Sequence, residues 1–212
     1  MKIHKTWKYI ALCLLLGLFF GYNAQLAKGT EPVSDPENSH LNSNSFPEFQ
    51  LPAPVSEAEK KYLGLSDDTD FNIGQIKTKV LIIELFSFYC PHCQRSASKV
   101  NELYHIIEKQ DGLKGRIKII GIGAGNSNYE IGSFKKKYEV PFPLFPDQGV
   151  EIFNLLRAKA TPTFIGIKLN GNGSVEQFYL SEGGFKDSQQ FLNEIIKLSG
   201  IESGEKHEQT NK

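Results

Sequence analysis

Cysteine is scarce in this chain: three in 212 residues, one of them, Cys13, within an apolar stretch of sequence near the start. That excludes a disulfide-dense scaffold, and a chain of this length can bury a core without such bracing. Net charge is absent as well, 24 basic side chains balancing 24 acidic ones. No broad electrostatic argument for nucleic-acid binding follows. No apolar run reaches the ~20 residues of a membrane-spanning helix; the longest is the twelve-residue Tyr9–Phe20. Internal repeats and a P-loop are missing. "GIGAGN" (121–126) stops short of a dinucleotide fingerprint because Asn126 occupies its last position, which leaves a tight turn as its reading. A structural zinc site would need a second pair of ligands beside Cys90 and Cys93, and His92, His105 and His207 supply no matching cluster. Neither a metal nor a cofactor is expected.

What is present starts with a charge asymmetry. Residues 1–24 contain Lys2, Lys5 and Lys8 and no acid, so the remainder carries three more acids than bases. A basic flank ahead of a short apolar core predicts a secretory signal peptide or an N-terminal membrane anchor over 1–24. Ala24 is the candidate cleavage residue, although Tyr22 stands where a small side chain is preferred, and Cys13 lacks the small-residue motif for lipid attachment. Cleaved and soluble, or retained as a tether, the domain is expected outside the cytoplasm, in a bacterial periplasm. Residues 25–56, rich in Pro, Ser, Asn and acid, predict a flexible extracytoplasmic linker that becomes ordered near Phe46–Pro54. A folded domain is expected over 57–200 and a polar tail over 201–212.

Within the domain, "KVLIIELF" (79–86) is a continuous apolar run with one acid, the pattern of a strand covered on both faces. From Cys93, the residues Ala97, Val100, Leu103, Tyr104 and Ile107 recur at helical spacing. A strand over 116–123 follows, then helices near 129–138 and 149–156 flanking the turn-rich "VPFPLFPDQ". A hairpin over 163–170 and 174–181 and a closing amphipathic helix complete the order. Alternation of this kind predicts an α/β sandwich around a mixed sheet of four or five strands.

"LIIELFSFYCPHCQ" resembles the active-site strand and turn of DsbA-type disulfide oxidoreductases. "ATPTFIGI" resembles the cis-proline segment of thioredoxin-like proteins, and "VPFPLFPD", a helix and "TPTF" resemble the compact redoxins of the TlpA/ResA type. The similarity covers about residues 70–200. Only 68 residues separate Cys93 from Pro162, which leaves little room for the large helical insertion of DsbA. The resemblance implies a thioredoxin-like three-layer sandwich with a mixed central sheet. It also implies thiol–disulfide exchange on exported cysteine-containing proteins or peptides, served by a membrane or soluble thiol partner. Two directions stay open: disulfide exchange in general, or a dedicated reductant such as one serving cytochrome c maturation. A non-catalytic binding module is the reading from a different class.

Each candidate residue has a physical reason. Cys90 falls where the strand ends and Pro91 suits the first turn of a helix, so exposed N–H groups and the helix dipole would favour a Cys90 thiolate. Cys93, one turn in, would be the buried resolving thiol. His92 between them could donate to that thiolate and make Cys90 a better leaving group. Glu84 is either an edge-strand carboxylate reaching water or, on a central strand, a buried acid able to exchange a proton with Cys93. The resemblance places a cis bond at Thr161–Pro162, with the Thr161 backbone available to an extended substrate chain. Phe88 and Tyr89 are candidates for an apolar lip.

Overall fold

The apolar run read as a doubly covered strand lies at the centre of the sheet. The computed structural model describes residues 46–171 and 173–202. The signal or anchor at 1–24, the linker up to residue 45 and the tail from 203 lie outside them. In chain order the elements are β1 (Gln50–Leu51), α1 (Glu57–Leu63), β2 (Phe71–Asn72), β3 (Val80–Phe86), α2 (Pro91–Lys109), β4 (Ile117–Ala124) and α3 (Asn128–Lys137). They continue with β5 (Leu144–Asp147), α4 (Glu151–Leu155), β6 (Thr163–Leu169), β7 (Val175–Glu182) and α5 (Ser188–Ser199). The main sheet runs β5–β4–β3–β6–β7, so β3 is its middle strand. β3 pairs in parallel with β4 and β4 with β5, whereas β6 is antiparallel to both β3 and β7.

Every residue of β3 is buried. Val80, Ile82 and Phe86 enter one core beside residues of α2, α3 and α5. Leu81, Ile83 and Leu85 enter the other, beneath α1, the β1–β2 ribbon and α4. Side chains alternate across a strand, so a two-sided core demands an apolar residue at almost every position. In α2 the residues Cys93, Ala97, Val100, Leu103 and Ile107 form the buried stripe, and each fully buried aliphatic side chain there contributes ~2 kcal/mol. This is the thioredoxin-like three-layer α/β sandwich with a mixed sheet.

The ordering expected near Phe46–Pro54 is present, ahead of residue 57: Phe46, Phe49 and Leu51 are buried, and Gln50–Leu51 pair with Phe71–Asn72. Prolines and polar residues surround these few apolar anchors, so composition alone reads as linker up to residue 56. One feature departs from the sequence expectation. "VPFPLFPD" contains strand β5 as well as turns. Its Pro146 is tolerated because β5 is an edge strand, where a missing N–H costs no ladder bond.

β5 pairs only with Gly121–Ala124, which leaves the first half of β4 without a strand neighbour on that side. Tyr62 of α1 fills the gap: its hydroxyl accepts from Ile119 N–H at 2.8 Å and donates to Ile119 C=O at 3.4 Å. A side chain thus closes an edge that would otherwise invite pairing with another chain.

Candidate active site

The carboxyl end of the middle strand leads through Ser87–Tyr89 into α2. Cys90 is the N-cap of that helix, in extended conformation, and its sulfur accepts from Cys93 N–H at 3.2 Å. Pro91 occupies the first helical position, where its missing N–H needs no partner. Cys90 is partly exposed; Cys93, on the core face of the same turn, is fully buried, and both are free thiols.

The turn is held from three directions. Asn126, completely buried after β4, accepts Phe88 N–H on its Oδ1 at 2.7 Å and reaches Ser87 Oγ at 3.4 Å. Gln94 Nε2 donates to Phe88 C=O at 2.8 Å. On the remaining side Cys90 Sγ donates to Thr161 C=O at 3.2 Å. Thr161–Pro162 is a cis peptide bond. Pro162 C=O accepts from Gly183 N–H at 2.7 Å, joining this loop to the end of β7. The loop of 161–162 and the turn of 87–93 therefore face each other although 71 positions separate Cys90 from Thr161.

The two thiols are electrostatically distinct. Partial burial pushes the Cys90 thiol up, but hydrogen bonds from Cys93, from the Thr161 side chain and from the backbone N–H groups of Cys93 and His92 outweigh it, leaving Cys90 below its ordinary value. Burial pushes Cys93 well up, reinforced by its hydrogen bond with Cys90 and by the charge of Glu84. Glu84 sits on the middle strand, 3% exposed, on the same face as α2, so the edge-strand alternative is excluded. Burial, with a smaller contribution from Cys90, pushes its carboxyl up to about 8. An accessible thiol held below its ordinary value thus sits above a buried thiol held well above its own, with a buried carboxyl raised to about 8 beneath them, an arrangement able to carry out thiol exchange.

His92 differs from the expectation. Its side chain is exposed and its Nδ1 lies 3.0 Å from Arg95 Nη2. A guanidinium has only donors, so Nδ1 is the acceptor in that contact. What His92 offers Cys90 is its backbone N–H. The cause is helical geometry: at the second helical position the side chain points outward and meets the residue one turn on.

Phe88 is half-buried against the core below α2, whereas Tyr89 is 65% exposed. Tyr89 donates through its hydroxyl to Glu130, the residue whose other oxygen caps α3 by accepting from Ser127 N–H. The residues that sequence reasoning missed are Asn126, Gln94, Arg95 and Glu130. Asn126 was visible as the end of "GIGAGN", read as a turn. The glycines of that segment serve packing: a methyl group on Gly121 would collide with Leu144, and one on Gly123 with Ile131 and Asn126. Among the described residues no group of three His, Cys, Asp or Glu could hold a metal ion.

A thioredoxin-like fold that carries such a dithiol at the end of its middle strand defines the class: this is a thiol–disulfide oxidoreductase. Residues 43–176, more than half of the sequence, match the AhpC/TSA family, and the chain belongs to that family. It is similar to the thiol–disulfide oxidoreductase ResA of Halalkalibacterium halodurans, with 22% identity over 156 residues, 74% of this chain and 82% of that one. Among solved structures, a secreted disulfide oxidoreductase of Mycobacterium tuberculosis, homologous to E. coli DsbE, matches with TM-score 0.52 at 14% identity, over 71% of this chain and 96% of its own. Peroxidoxin BcpB of the same organism matches with TM-score 0.53 at 12% identity, over 74% and 96%. Both likenesses concern the fold alone.

Proposed function

We propose that this protein is an extracytoplasmic dithiol reductant acting on cysteine-containing exported proteins. The observation that carries the direction is the contact of His92 with Arg95, which leaves the Cys90 sulfur with backbone and Thr161 hydrogen bonds and no imidazole donor. A strong oxidant needs its reduced form stabilised, and a histidine cation on the thiolate is one way to do so. The ResA relative supports the same direction, and apoproteins of c-type cytochromes are one fitting class of client.

In this reading the Cys90 thiolate attacks one sulfur of a client disulfide. The client S–S bond breaks, its electron pair leaves on the other client sulfur, and an intermolecular Cys90–client disulfide forms. Cys93 then gives its proton to the Glu84 carboxylate and attacks Cys90 Sγ. The Cys90–client S–S bond breaks, the client sulfur that Cys90 held departs as a thiolate and takes up a proton, so the client gains two electrons and Cys90–Cys93 becomes a disulfide. A membrane or soluble thiol partner must return the two electrons. Thr161, beside Cys90, would pair with the client backbone, and Phe88 and Tyr89 would form the lip. Residues 1–24 would export the domain, as signal peptide or anchor, with the linker running to about Phe46 and the polar tail following residue 200.

The test is the equilibrium potential of the pair against a defined thiol couple. A midpoint near thioredoxin's, about −270 mV, is expected; one near about −120 mV would make the protein an oxidant and overturn the direction.

A further inference from the structure

At the opposite end of the sheet from Cys90, the starts of β3 and β4 and the end of β6 surround an open cleft of about 540 Å³. Three cations line it, Lys77, Lys79 and Arg116, together with Asn170 and small or apolar residues, and no acid does. Their grouping is a consequence of register. Lys79 N–H donates to Arg116 C=O, Leu169 N–H donates to Lys79 C=O, and Val80 lies opposite both Ile117 and Lys168. Lys77 and Lys79 are exposed, and none of the three lining cations forms an ion pair among the described residues. Arg116 uses Nη1 on the carbonyls of Gly112 and Glu202, which holds its guanidinium at the rim. In a chain of zero net charge, three unpaired cations around one concavity are a local feature that folding creates.

Phe46 N–H donates to Val175 C=O at the start of β7, the residue that packs against Gly74 of the cleft wall. The polypeptide therefore joins the domain beside the cleft, and the apolar Tyr9–Phe20 segment precedes that point in sequence.

We propose that this basic pole docks on the anionic phosphate headgroups of the membrane across which the chain is exported. Lys77 and Lys79 meet the lipid surface, and Cys90 is directed away from it by the length of β3. Seven residues of strand set that separation at roughly 20 Å. Clustered lysines near an anionic surface are attracted within about one Debye length, so the contact is weak, reversible and sensitive to salt. It would hold the domain in one orientation, with the thiol face open to exported clients. The proposal rests on the reading of the leader as an export segment and is independent of the direction of electron flow.

The test uses the full chain with vesicles of neutral phosphatidylcholine and of phosphatidylcholine containing one-third phosphatidylglycerol. Lys2, Lys5 and Lys8 of the leader add the same anionic preference to every variant, so the difference in that preference between wild type and the Lys77/Lys79 doubles isolates the pole. Wild type should bind the anionic vesicles about tenfold or more tightly, and high salt should abolish the preference. The doubles Lys77→Gln/Lys79→Gln and Lys77→Glu/Lys79→Glu should weaken it in that order while reducing a soluble disulfide at the wild-type rate, which also reports correct folding. An equal preference in wild type and both doubles would overturn the proposal. So would binding of inorganic phosphate, seen by calorimetry and lost in the doubles, without any difference between them and wild type in vesicle preference; the cleft would then serve a soluble anion.

Discussion

Glu84 is a carboxyl that the fold keeps at a cost. Its ordinary value of 4.5 rises to about 8 on burial, so between those limits the folded chain binds more protons than the unfolded one. Stability from the neutral form is therefore complete below about pH 4.5 and is lost as pH rises towards 8. At pH 7 the carboxyl is still mostly protonated in the folded chain, and keeping it so costs roughly 3 kcal/mol relative to the ionised unfolded chain. Glu84→Gln should match wild type in stability near pH 4 and exceed it by a few kcal/mol at pH 8, as read by urea unfolding across that range. A difference that stays constant with pH would mean that the carboxyl is not a buried, ionising group. The same variant should resolve mixed disulfides more slowly at about pH 8 and above, where the Glu84 carboxylate proposed to take the Cys93 proton is populated.

Elements position the site more than its own turn does. The middle strand delivers Cys90, α2 caps on its sulfur, and the β4–α3 loop contributes Asn126 from below. Asn126→Ala would leave the part-buried Phe88 N–H without its acceptor and a gap where a fully buried side chain stood. An unpaired buried donor costs about 1–3 kcal/mol, so the urea midpoint should fall accordingly. Disulfide reduction should weaken with it, because the turn loses its anchor opposite Gln94. Unchanged stability and rate would assign Asn126 to packing alone. "GIGAGN" does hold the expected tight turn, closed by Asn126 N–H on Gly123 C=O at 3.1 Å with left-handed backbone at Gly125, and it adds close approach at Gly121 and Gly123 and a clamp at Asn126.

On the scale of the whole molecule, the two ends of the sheet have different work. One end places a reactive thiol against the 161–162 loop; the other gathers unpaired cations where the chain enters. For the thiol end, Cys93→Ala should leave Cys90 able to attack but unable to release, so that disulfide-linked partners accumulate on non-reducing gels and can be identified by mass spectrometry. Cys90→Ser should trap nothing and reduce nothing while remaining folded. If Cys93→Ala captures no partner and the wild type exchanges no disulfide with model peptides, the cysteines are not an exchange centre.

The α/β order, the strand of residues 79–86, the helix beginning at Pro91 and the Cys90–Cys93 pair were legible in the sequence, because periodicity and helix-start chemistry are local properties. The cap on Cys90 and the buried stripe behind Cys93 follow from the same spacing. What lay beyond it was everything that depends on which segments meet. Glu84 reads as an edge or a core residue, the buried reading favoured, until strand order puts β3 in the middle. His92 was expected to face the thiolate, and only the path of the first helical turn sends it to Arg95. Asn126, Thr161 and the pole of Lys77, Lys79 and Arg116 come from segments far apart in the chain, and no sequence window contains them together. Local chemistry selects the elements; long-range packing decides which charges are buried, which are paired, and which thiol meets the solvent.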